Sequence, residues 1–169
     1  IKDNGKGVGA ANRIGIKAAK NNILVFFDAD GSHDPKDIPK MVKHLTGNGY
    51  DLVVGSRMTG GSDELHGTWS NFARNMGAGL IQLAINYRFN VRLTDCENGF
   101  RAIKKDVAEK LNLNANDFDI QQEIVMKCLK KGYKVGEIPT HEYERKHGKS
   151  NISLPKIGHK FVWRLIKEL

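Results

Sequence analysis

Apolar and polar positions along the chain follow two rhythms, one helical and one strand-like, which succeed each other with no repeat, low-complexity tract or linker between them. Residues 10–20 carry Ala11, Ile14 and Ala18 at helical spacing, and the five apolar residues Ile23-Leu24-Val25-Phe26-Phe27 follow. That run is rich in β-branched and aromatic side chains and is stopped by Gly31 and Pro35, so it predicts a strand buried on both faces. Residues 35–46 predict a helix with Ile38, Met41, Val42 and Leu45 on one face and Pro35 in its first turn. Gly47-Asn48-Gly49 ends it, and residues 50–55 predict a second buried strand. Strand, helix and strand in that order predict a right-handed parallel unit.

Farther along, Ser56 and Arg57 lead into a polar loop over residues 58–63. Residues 69–86 predict a helix whose centre, Met76 to Ile85, is apolar almost all round. It is too short to span a bilayer, which favours a core helix over one lying against lipid or a partner. Residues 90–98 predict a short strand or an irregular stretch, and residues 106–111 and 119–131 predict helices. In the second of these, Ile120, Ile124 and Cys128 are four apart, and Glu123 beside them reads as a solvated position. Residues 134–139 are strand-like and residues 143–153 predict a basic, mobile loop. Residues 154–169 predict an amphipathic helix with Ile157, Phe161 and Leu165 on one side and Lys156, Lys160, Arg164 and Lys167 elsewhere. It suits packing on the domain or an anionic membrane surface equally.

Composition narrows the picture modestly. At 169 residues the chain can bury one sizeable core, and its 40% apolar and 27% charged content is that of a globular protein. The net charge of +8 favours acidic partners: nucleic acid, anionic lipid or phosphorylated substrates. Cys96 and Cys128 have no metal-ligand spacing, which predicts reduced thiols and a cytoplasmic setting. No run approaches a membrane span, no signal peptide is evident, and a first residue of Ile reads as other than a natural start.

Candidate chemistry gathers at Asp28-Ala29-Asp30. In extended geometry the two carboxylates point to one side, and their repulsion is relieved by a divalent cation with oxygen ligands, Mg2+ or Mn2+, which can also hold a phosphate. The plainer reading makes Asp28 a turn cap and Asp30 the start of the next helix. Arg57 leaves the sheet at the same edge, where a guanidinium can hold a phosphate or pair with a surface acid. The glycine-rich stretch Lys2 to Gly9 can present N–H groups to a phosphate or serve as a plain loop. Asp95 and Glu97 form a second acidic pair, and Arg74 stands one turn before the apolar part of its helix.

The ordered set is more specific than any member of it. Asp28-Ala29-Asp30, Val53-Val54-Gly55-Ser56-Arg57, Arg74-Asn75, Thr94-Asp95-Cys96-Glu97-Asn98-Gly99-Phe100-Arg101, Glu123, Glu137-Ile138-Pro139 and the basic stretch Arg145 to Ser150 together resemble the dolichyl/polyprenyl-phosphate mannosyltransferase group of inverting, family 2 glycosyltransferases. The resemblance implies an α/β fold of the GT-A, Rossmann-like type, a mostly parallel sheet flanked by helices, without the group's N-terminal strand-helix-strand unit. It implies transfer of a hexose, mannose or glucose, from a nucleotide sugar such as GDP-mannose to a polyprenyl or dolichyl phosphate, by an enzyme peripheral at the cytoplasmic face of a membrane. Asp28 and Asp30 match the metal-binding acids; Arg57, Arg74 and Arg145, with Lys149, match basic positions that clamp phosphates; Asp95, Glu97 and Glu123 match acidic positions near the sugar. The group commonly has Gln where this chain has Gly31 and Ser32, so Ser32 or water replaces it as third ligand. Nothing resembling the group's Pro-x-Tyr-Asn-Glu segment precedes Ile1. The chain then divides into a partial catalytic domain, residues 1–153, and a membrane-proximal helix, residues 154–169, and lacks much of the nucleotide pocket.

Two rivals are set beside this reading. A haloacid-dehalogenase-like phosphatase also runs a strand into Asp-x-Asp, with Asp28 as nucleophile and Asp30 as acid/base, but it leaves the loop after Arg145 unexplained. A basic nucleic-acid-binding module rests on charge alone; the cations are dispersed and few aromatics lie among them, so no nucleic-acid partner is expected.

Overall fold

A computed structural model of the chain describes residues 5, 7–63, 69–146 and 154–169. Four strands, β1 (Ile23–Phe26), β2 (Leu52–Ser56), β3 (Arg101–Lys104) and β4 (Val135–Pro139), form one sheet in the order β1-β3-β2-β4. β2 and β4 pair in parallel, and β3 runs antiparallel to both of its neighbours, with Val25 and Val53 each opposite Ala102. Thus β1, β2 and β4 share one direction. The predicted parallel unit holds, but β3 separates its two strands. That strand escapes a hydropathy reading because Arg101 and Lys104 bracket only two apolar residues.

Helices α1 (Val8–Ala18), α2 (Asp37–Gly47), α3 (Arg57–Gly60), α4 (Trp69–Phe89), α5 (Lys105–Lys110), α6 (Ile120–Lys130) and α7 (Leu154–Glu168) complete the fold. Strand side chains alternate, so each strand serves two layers. Leu24, Leu52, Val54 and Ile103 pack under α1, α4, α5 and α6 through Ile16, Ile85, Val107 and Ile124. Val53, Ala102 and Ile138 face α2 through Met41 and Leu45. All five residues of β2 are buried, as its position inside the sheet requires.

Several expectations are corrected. β1 is an edge strand, half-buried rather than covered on both faces, and Phe27 beyond it is 37% exposed. The predicted polar loop begins with the helical turn α3, where the Ser56 hydroxyl accepts from the Thr59 N–H at 3.3 Å. Residues 90–98 are irregular. The centre of α4 is not a core helix: Ile81 and Ile85 are buried, but Met76, Leu80 and Leu83 are exposed. Glu123 is not solvated but wholly buried.

Candidate active site

Because three strands share a direction and β3 opposes them, the segments after β1, β2 and β4 and the segment before β3 all emerge at one edge of the sheet. Ligands in open α/β folds bind there, beyond the carboxyl ends of the parallel strands. This edge collects Asp28 and Asp30, Arg57, residues 95–99 and residues 140–146.

Asp30 closes a tight turn on itself: its Oδ1 accepts from the Ser32 N–H at 3.0 Å and the Ser32 hydroxyl at 2.7 Å. Gly31 sits in this turn at φ +82°, a conformation costly for any residue with a Cβ. The strap after β4 lies over it. Tyr143 N–H donates to the Ser32 carbonyl at 2.8 Å, Lys146 N–H to the Asp30 carbonyl at 3.1 Å, and Arg145 Nη1 stands 3.5 Å from Asp30 Oδ2. The first part of the predicted mobile loop is therefore anchored. Burial pushes the Asp30 carboxyl up, but the two Ser32 hydrogen bonds, with Arg145 and His33, outweigh it and hold the group below the usual carboxylate range. Ser32 is buried with its hydroxyl committed to Asp30.

Asp28 is exposed, and Gly99 lies against it: a Cβ on Gly99 would stand 3.1 Å from Asp28 Oδ2. That contact brings the second acidic pair next to the first. The two members of the second pair have different surroundings. Asp95 grips Arg57 with both oxygens, at 2.6 Å to Nε and 3.0 Å to Nη2, and caps the N–H groups of Glu97 and Asn98 at 3.3 and 3.2 Å. Burial works against the Arg57 charge, but Asp95 and Glu142 outweigh it and keep the guanidinium protonated. Among the described residues, Glu97 has no such partner for its shielded Oε1.

Four further residues that sequence reasoning did not assign to the site hold this edge in shape. Glu137 of β4 accepts from the N–H groups of Thr94 and Asp95, each at 2.8 Å at its closer oxygen. Asn98 donates to the Gly55 carbonyl at 2.6 Å. Arg101, fully buried, donates to the carbonyls of Asn98, Cys96 and Gln121, and burial pulls it down to about 10. Glu142 accepts from the Ser62 hydroxyl at 2.5 Å, stands 3.5 Å from Arg57 Nη1 and bridges His33 through the backbone. Nothing in the sequence names their partners, which the fold brings together.

Two candidates do not join this group. Glu123 sits in a separate buried cluster, accepting from the Ala115 N–H at 2.9 Å and from Arg164 of α7 at 3.1 Å, with Lys127 at 2.7 Å. Lys149 lies outside the described residues.

Asp28 and Asp30 offer hard carboxylate oxygens, one of them on an exposed side chain. That donor set fits Mg2+ or Mn2+, which keep several waters and take phosphate oxygens from a ligand. No third His, Cys, Asp or Glu joins them among the described residues.

The chain is similar to several known proteins. The chain is 32% identical to the dolichol-phosphate mannosyltransferase of Pyrococcus furiosus over 96% of its own length and 46% of that protein. It is 28% identical to a UDP-N-acetylglucosamine–dolichyl-phosphate N-acetylglucosaminyltransferase of Methanococcus voltae, over 95% of this chain and 65% of that one. It therefore spans between about half and two thirds of these relatives. In fold it is similar to glucosyl-3-phosphoglycerate synthase of Mycobacterium tuberculosis, solved with Mn2+ and UDP-glucose, at a TM-score of 0.70 and 19% identity over 96% of this chain and 54% of that one. That neighbour supports a GT-A α/β architecture. A phosphatase is not favoured by any of these matches, and the family model "Glycosyl transferase family 2" covers residues 1–111, which include the Asp28–Asp30 turn, Arg57 and the 95–101 loop, so the chain belongs to that family.

Proposed function

We propose that this chain carries the catalytic edge of a metal-dependent, inverting glycosyltransferase that moves a hexose from a nucleotide sugar to a polyprenyl phosphate at a membrane surface. The observation that carries the reading is the meeting of Asp28 and Asp30 with Arg145 and with an Arg57 fixed in one orientation, all at the carboxyl ends of parallel strands. In this scheme Asp28 and Asp30 hold the divalent cation, which supplies Lewis-acid neutralisation of the donor's diphosphate. Arg145, beside Asp30, is placed to meet the same diphosphate, while Arg57 and Arg74 orient the acceptor phosphate. An oxygen of that phosphate bonds to the anomeric carbon as the bond from carbon to the diphosphate oxygen breaks. The electron pair leaves with the nucleotide, and the configuration inverts. The attacking oxygen is already ionised at neutral pH, so no strong general base is needed.

Calorimetric titration of the chain with GDP-mannose and with UDP-glucose tests this. One of the two should bind in the presence of Mn2+ and release on addition of EDTA. Binding of neither removes the reading.

The membrane part rests on the two helices with exposed apolar rows. On α4 the row is Trp69, Phe72, Met76, Leu80, Leu83 and Tyr87, and on α7 it is Val162, Trp163 and Ile166, with Leu169 just after the helix. The two helices touch, with Arg88 Nε donating to the Leu169 carbonyl at 3.1 Å. α4 contains no acid, and the sole acid of α7, Glu168, is buried, so the charges exposed there are cationic. Aromatic residues and cations around an apolar face suit the headgroup region of an anionic leaflet. No helix among the described residues is long and apolar enough to cross a membrane. The double substitution Leu80→Ser, Trp163→Ser should weaken co-sedimentation with vesicles containing phosphatidylserine by about tenfold or more, the loss of roughly two buried apolar side chains. Unchanged co-sedimentation would remove α4 and α7 as the contact.

A further inference from the structure

Asp95 and Glu97 differ in what they have left to offer. Asp95 has both oxygens committed to Arg57 and to the backbone of its own loop. Glu97 has an oxygen sealed from solvent with no hydrogen-bond partner among the described residues. Burying a carboxyl oxygen unpaired is costly, so the position is unfavourable unless something else uses it. Among the described residues, the charges that act on Glu97 are Arg57 at the start of α3, Asp95 in its own loop and Arg74 of α4. Two residues farther on, Gly99 touches Asp28, which puts this carboxyl beside the same edge as the metal-binding pair.

We infer that Glu97 controls which anions the Arg57–Arg74 edge accepts: as a neutral carboxyl it donates a hydrogen bond to a phosphate-ester oxygen held there, and as a carboxylate it takes that anion's place between the two guanidinium groups. This deepens the proposed function and rests on its placing of the acceptor phosphate at these arginines. The exchange is governed by one proton, released to solvent when Glu97 ionises. Burial, helped by Asp95 and opposed by the two arginines, pushes the Glu97 carboxyl up to about 7. The switch then falls within the physiological range. Below it, the neutral carboxyl is a donor; above it, the negative charge excludes a second anion.

The test compares the chain with its Glu97→Gln variant, in which a neutral amide donor replaces the carboxyl without change of shape. Geranyl phosphate, a short isoprenoid phosphate monoester, is titrated into both from pH 5.5 to 8.5. Its own ionisation cancels in the ratio of the two affinities. That ratio should be close to one at pH 6 and rise to about ten in favour of Gln at pH 8, one decade per pH unit above the transition. Glu97→Ala should also lose the pH dependence relative to Gln but bind more weakly at every pH, having no donor. Equal affinities of chain and Gln variant across the range overturn the role of Glu97 and leave the phosphate edge standing. Failure of all three folded proteins to bind at any pH overturns the phosphate reading of Arg57 and Arg74, and this role with it.

Discussion

Replacing Arg164 with Met should lower the unfolding free energy by about 3–5 kcal/mol, the usual cost of removing one partner from a buried ion cluster. Arg164 is 6% exposed and joins α7 to the body through Asp119, at 3.0 Å from Nε and 2.9 Å from Nη2, and through Nη1 to Glu123 at 3.1 Å, Asn114 Oδ1 at 2.9 Å and Glu168 at 3.3 Å. Without it, three buried carboxylates face one another and Glu123 and Glu168 are left to Lys127, 2.7 and 4.0 Å away. Methionine matches the length of the side chain but neutralises nothing. For a chain of this size a loss of that order corresponds to roughly 10 °C in Tm. Urea and thermal unfolding followed by circular dichroism measure it. A loss below about 1 kcal/mol would mean that water or protonation relieves the cluster, and that α7 is held by its apolar contacts alone.

That cluster also explains why Glu123 misleads a reader of the sequence. A Glu one position from an apolar stripe looks solvated, and its match to a family position looks functional. In the fold, the backbone N–H groups of Asn114 and Ala115 and the side chain of Arg164 converge on it, from segments far apart in the chain. Hydropathy pattern located most elements because burial leaves a trace in sequence: the unbroken apolar run Leu52-Val53-Val54 and the spacing of Met41 and Leu45 are both visible before folding. It failed at β3, whose two apolar residues are too few to show a rhythm, and at α4, where ten nearly continuous apolar positions conceal that only one side meets the core. Asp28, Asp30 and Arg57 were legible as candidates because the ends of strands punctuate the sequence. Glu137, Asn98, Arg101 and Glu142 were not, because the groups they bind are brought to them only by the folded loops, helices and strands.

Asp30→Asn should abolish Mn2+-dependent binding of the nucleotide sugar while leaving the turn in place. The two roles open to Asp30 make opposite demands on this substitution. As a turn residue it needs an oxygen to accept from the Ser32 N–H and hydroxyl, and an Asn carbonyl oxygen supplies one as well as a carboxylate does. As a cation ligand paired with Asp28 and flanked by Arg145 at 3.5 Å, it needs the negative charge, which Asn lacks. Loss of a direct ligand should cost at least the roughly 100-fold that loss of an outer partner can cost a metal site. The charge has its own pH signature. Because the folded carboxyl titrates below its ordinary value, its contribution to stability is complete above about pH 5, and it fades as pH falls through the lowered value. That acid-side dependence should shrink in the Asn variant. Donor affinity measured by calorimetry with Mn2+, beside the unfolding of each protein, separates the roles: binding lost in a variant that still folds and unfolds cooperatively assigns Asp30 to the cation, whereas wild-type binding in Asp30→Asn would reduce it to a turn former and leave Asp28 without its partner ligand.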